Sequence, residues 1–144
     1  MPLYNRGLLE VLGDARTSWD GSTDVRVLLL NSSHSFNPDH NFVSEVVAQE
    51  ITVSGYARQA SASRTLTELD ATDRVVANMA TTSFGALVTG QTIGSAVVYR
   101  HIGATDSANP LIAFIDLVDT PTNGGTFAVD WNDTDGVFYV DSPS

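Results

Sequence analysis

The chain has 144 residues, 42% of them hydrophobic, and a formal net charge of -10 from 17 acidic and 7 basic side chains. A chain of that length buries roughly 70% of its unfolded surface in one domain, and its hydrophobic content excludes a disordered polypeptide. The acidity disfavours nucleic-acid binding, because phosphate backbones repel it, and the absence of cysteine excludes disulfides and thiolate metal sites.

Residues 4–12 read as a short helix with Leu8, Leu9, Val11 and Leu12 on an apolar side and Gly13 as its C-terminal cap. Residues 17–22 are turn-like. Residues 25–30 read as a strand, and 31–37 as a polar loop. Pro38 is placed to open a second helix, with Asn37 as its cap and Asp39 in the first turn. Phe42, Val43, Val46 and Val47 then recur at helical spacing, with Glu45 and Gln49 turned to water.

Residues 50–62 read as a strand broken at Ser54-Gly55, and 64–69, with its threonines, as an edge strand. After a turn at 70–73, residues 74–79 and 82–88 are strand candidates. In 92–102, Ile93, Val97 and Tyr99 fall on one face and Val98 and Ile102 on the other. Residues 111–118 are apolar on both faces except at Asp116, which predicts a central strand. Phe127, Val129 and Trp131 alternate with polar or small residues, and 137–140 follow a polar loop ending in Gly136, which predicts a β-hairpin. The sum is about eight strands and two short helices in a single 1–144 domain. It is mainly β, an antiparallel β-sandwich or a barrel-like sheet pair. No apolar run reaches the ~20 residues that span a bilayer. Met1 to Arg6 lacks the basic-then-apolar pattern of a signal peptide.

Candidate chemistry is sparse. His34, Asn37, Asp39 and His40 have the ligand types of a metal site without a metalloprotease spacing, and helix capping explains the same residues. Asp130 to Gly136 resembles a calcium loop, but glycine stands seventh where an EF-hand needs it sixth, and no glutamate closes it. There is no G-x-S-x-G elbow, G-x-G-x-x-G or P-loop. His101 lies in a strand pattern. The glutamates Glu10, Glu45, Glu50 and Glu68 read as surface positions. Arg58 either pairs with a strand carboxylate such as Asp116, makes an inter-subunit contact, or points outward. Trp19, Trp131 and Tyr139 are the aromatics that a carbohydrate-binding surface would use, although alternation turns Trp131 inward. The expectation is a non-enzyme without metal or cofactor.

The run Phe36-Asn37-Pro38-Asp39-His40-Asn41-Phe42-Val43-Ser44-Glu45-Val46 is distinctive, as is the segment from Thr52 to Arg58 with its Gly55-Tyr56. With Ala96 to Tyr99, Pro110 to Asp116 and Gly125 to Trp131, this order resembles a family of small virion proteins of tailed bacteriophages, from about residue 4 to residue 140. The resemblance implies a capsid decoration, or cement, protein on the capsid exterior, made in the host cytoplasm. Its partner would be the major capsid protein, with homotrimers or other self-association on the shell, and with no nucleic acid or membrane partner. Residues 1–13 are the candidate contact arm, with Leu3, Tyr4, Arg6, Leu8 and Leu9 as contact residues. The alternative is that this helix packs on its own sandwich. Two other functions stay open: a tail, neck or fibre component, and a host-surface carbohydrate-binding module.

Overall fold

The computed structural model describes residues 3–12, 18–21, 23–132 and 134–141. The expected cap at Gly13, the turn positions Thr17 and Ser22, and Asp133 lie outside them. The described residues form one α-helix, α1 (Asn5–Leu12), and nine strands, with four short 3-10 turns between them. The strands are β1 (Val25–Asn31), β2 (Gln59–Ala60), β3 (Thr65–Leu69), β4 (Arg74–Asn78), β5 (Thr82–Ala86), β6 (Thr92–Arg100), β7 (Leu111–Pro121), β8 (Thr126–Val129) and β9 (Phe138–Asp141). The architecture is mainly β, antiparallel throughout and sandwich-like.

The largest sheet has the order β2-β1-β6-β7 and is covered on both faces. Strand alternation sorts β1 cleanly: Val25, Val27 and Leu29 enter the main core, while Leu28 and Leu30 enter a second one. The main core lies between this sheet and the smaller sheets β3-β4-β9 and β5-β8, which supply Ala77, Phe84, Val129 and Phe138. The second core gathers Tyr4, Val43, Val46, Val97, Tyr99, Leu111 and Phe114 under the segment that follows β1. Trp19 is buried edge-on against Phe138, its indole N–H donating to the Thr65 and Asn78 carbonyls. The Arg64 guanidinium donates to the carbonyls of Trp19, Gly21 and Thr23 and so fastens this segment to the start of β3.

Several elements differ from the sequence expectation, each for a physical reason. Residues 111–118 do not form a central strand: β7 is the edge of its sheet. Its first half is buried because the N-terminal segment lies along it, with Leu3 bridging Ala113 and the Tyr4 N–H donating to the Ile112 carbonyl at 3.1 Å. Its second half is open, and Val118 is 89% exposed. The predicted hairpin at 126–140 is absent, because β8 pairs with β5 while β9 pairs with β4. The intervening loop closes on itself through the Gly136 N–H and the Asn132 carbonyl and carries the chain from one sheet to the other. Gly136 is obligatory there: its φ is +63°, and a Cβ would lie 2.3 Å from the Ala77 carbonyl oxygen.

The second helix does not start at Pro38. Asn37 Oδ1 accepts from the Asp39 N–H in a local turn, and the helical residues are two 3-10 turns, Val43–Glu45 and Val47–Gln49. Three residues per turn align Val43 with Val46, both buried, and rotate Val47 outward. Of the strand expected over 50–62, only β2 forms. In β6, a register shift beside Gly94 moves Ile93 off the face of Val97 and Tyr99 and into the main core, and Ile102 lies beyond the strand, exposed.

Candidate interaction surface

Helix α1 is built inside out. Position 7 faces β7, and only glycine fits there: a Cβ would meet the Ile112 carbonyl oxygen at 2.0 Å. One turn on, Glu10 is 2% exposed, and its carboxylate receives Arg6 at 3.1 Å and Arg100 of β6 at 3.3 Å. Glu10 is therefore a buried anchor and not the surface position the sequence suggested. A buried carboxylate is tolerable only when charged and hydrogen-bonding partners replace its water, and two guanidiniums do so here. With Gly7 and Glu10 turned inward, the 100° step puts Leu8, Leu9 and Leu12 on the outer face. They are 40%, 47% and 69% exposed. An ordinary surface helix shows the reverse arrangement.

The five candidate arm residues therefore divide. Leu3 packs against the main core and Tyr4 is fully buried in the second, where burial pushes its hydroxyl pKa up. Arg6 spans Glu10 and the Phe42 ring, 4.9 Å from its centroid. Leu8 and Leu9 face solvent. Sequence reasoning did not pick out Leu12 as a site residue, nor Gly7 and Glu10 as the pair that orients the helix. The available signal was a glycine in mid-helix, which costs helix stability and so marks a close approach.

Beyond the C-terminal end of α1 the leucine face runs into a groove of about 350 Å³. Trp19 and Phe138 line it, together with Leu12, Leu66, Val75 and Val140, which are all exposed. The cross-strand register places Leu66 opposite Ala77 and Val75 opposite Val140, so one face of the β3-β4-β9 sheet forms this wall. A second depression shares Val75 and Val140 and is otherwise lined by Glu68, Leu69, Asp70, Asp73, Arg74 and Asp141.

The polar clusters serve the fold. Arg58 pairs with Glu50 and Asp106, both at 2.7 Å, and not with Asp116. Its guanidinium also lies over the Tyr99 ring, and Glu50 is half-buried, accepting from the Tyr56 hydroxyl as well. These contacts raise the Arg58 pKa, above all the hydrogen bond to Glu50. His34 and His40 approach with ring centroids 6.3 Å apart, while Asp39 is spent on the Asn5 amide. Burial lowers the His34 pKa. His101 stands edge-on to Tyr99. Among the described residues, no group of three or more His, Asp or Glu side chains is placed to hold a metal ion. In the calcium-like loop, Asn132 Oδ1 is occupied by the Thr134 and Asp135 N–H groups. Trp19 and Trp131 are buried, and Tyr139 lies under Arg74 at 3.9 Å, so neither tryptophan offers a face to a sugar. No helix among the described residues is long and apolar enough to cross a membrane.

No family model, no curated protein and no solved structure matches the chain.

Proposed function

We propose that this chain is a structural protein of a tailed-phage particle, a capsid decoration protein that docks on the outside of the assembled major-capsid lattice and stabilises it. The observation that carries the docking part is the outward leucine face of α1. Gly7 and Glu10 lock the helix to its own sheet, so Leu8, Leu9 and Leu12 are presented rigidly. Covering them on a partner is worth on the order of 5 kcal/mol before the cost of association. Pre-organisation keeps that cost low, because no arm has to be ordered on binding.

The phage assignment is supported by the motif order from Phe36 to Trp131, and the acidic surface suits a protein that stays clear of packaged DNA. Stabilisation follows from mass action. A protein that binds only the expanded shell lowers the free energy of that state, and many modest contacts add up over the lattice. The test is co-sedimentation of the purified chain with expanded shells and with unexpanded precursors. Saturable binding to expanded shells, lost in a Leu8→Ser/Leu9→Ser double variant that keeps its thermal midpoint, supports the proposal. Equal binding of the double variant, or no binding to shells, overturns it.

A further inference from the structure

We infer that the groove between α1 and the β3-β4-β9 sheet receives a partner segment that is aliphatic at one end and carries arginine or lysine at the other. This deepens the docking reading and rests on it for the partner's being a protein surface, while the chemistry of the groove is testable without shells.

Two observations fix the occupant. The first is continuity. Leu12 belongs both to the outward face of α1 and to the groove wall, so an object seated on the helix extends over Leu66, Val75 and Val140. Those four side chains are exposed and adjoin one another across Trp19 and Phe138, which makes a single apolar patch and not scattered surface leucines. The second is charge. Past Val75 and Val140 the lining turns acidic, with Glu68, Asp70, Asp73 and Asp141 beside one basic residue, Arg74. Arg74 is itself engaged at 3.2 Å by both Asp135 and Asp141. The excess of carboxylates at that end calls for a cation from outside. A second copy of this chain is disfavoured as occupant, because each copy carries a net charge of -10, with 17 acidic side chains against 7 basic ones.

The test has two arms. In the first, a random short-peptide library displayed on yeast is sorted against the full chain at low salt, and enriched peptides are measured by fluorescence anisotropy. The expected result is a pair of aliphatic residues followed by Arg or Lys, with affinity falling about tenfold when that basic residue becomes Glu. Binding should also be lost in a Leu66→Ser/Val75→Thr variant whose thermal midpoint shows that it still folds. Enriched peptides without a basic preference, or binding that survives the groove variant, overturn the inference. So does sedimentation showing self-association that Leu66→Ser abolishes, since the occupant would then be a second copy.

In the second arm, the same groove variant is tested on expanded shells beside Leu8→Ser/Leu9→Ser. If only the helix variant loses shell binding, the groove inference falls and docking through α1 stands. If the unaltered chain binds no shells yet selects aliphatic-basic peptides, the decoration reading falls and the groove chemistry stands.

Discussion

Replacing Gly7 with alanine separates a docked helix from a free arm by the sign of its effect. In a solvated helix, Gly→Ala stabilises by about 1 kcal/mol. Here the new Cβ would lie 2.0 Å from the Ile112 carbonyl oxygen, where ordinary contact begins near 3.4 Å, so α1 must retreat by about 1.4 Å. That retreat breaks the Tyr4 N–H bond to Ile112 and the Leu3 bridge to Ala113, at about 1 kcal/mol each. It also loosens the packing of Tyr4 and Val11, for about 1 kcal/mol more. Against the propensity gain, the net is a destabilisation of about 2 kcal/mol, or a melting point lower by roughly 5–8 °C. Urea titration followed by the fluorescence of the buried tryptophans measures it. A stabilised Gly7→Ala variant would refute the docking of α1 on β7, and with it the rigid presentation of the leucines.

Arg58→Met should cost about 2 kcal/mol in urea unfolding, because it strands the half-buried Glu50, with the figure discounted for the partial exposure of Arg58 and Asp106. Arg58→Lys should recover only part of that, since an ammonium cannot fork between two carboxylates, and full recovery would contradict the geometry. His34 is held below its ordinary pKa of 6.5 by burial, with a smaller push from His40. The unfolded chain therefore binds the proton more readily. The stability contribution is complete above about pH 6.5 and is lost as pH falls toward the depressed folded value. Urea midpoints between pH 7 and pH 5 should fall less steeply in His34→Gln, and an unchanged slope would count against the burial. Glu45 accepts from the Asn41 and Phe42 N–H groups, which hold its carboxyl below the ordinary 4.5. Its contribution is present above that value and is lost as pH falls through the depressed folded value, and Glu45→Ala should cost about 1 kcal/mol at pH 7 after discounting for its exposure, with less at pH 3. A loss that is the same at both pH values would show that the cap is not made by the carboxylate.

Local pattern revealed much of the fold. Short strand-like runs bounded by turn residues located β1, β3, β4 and β6 to within a residue or two, because such local pattern marks where a strand begins and ends. It does not report which strand pairs with which. Residues 126–140 carried the strongest hairpin signal in the chain, yet the loop between β8 and β9 is a corner between sheets. Residues 111–118 read as central because both faces are apolar, and the cover on β7 comes from α1 and its leading residues, about a hundred positions earlier in the chain. The same non-locality hid the site. The leucine stripe of α1 was visible, but stripes usually face the core, and only the positions of Gly7 against Ile112 and Glu10 against Arg100 show that this one faces out. Arg58 stood out in the sequence, but its partners lie 8 and 48 residues away, on loops that no periodicity marks.

Cryo-electron microscopy of tailed-phage particles assembled in the presence of this chain tests the central proposal most directly. Decoration through α1 predicts many copies spread over the icosahedral shell, with Leu8, Leu9 and Leu12 seated on the major capsid protein. Absence from the shell, a few copies confined to the tail or neck, or shell-bound copies with the leucine face turned to solvent would contradict it.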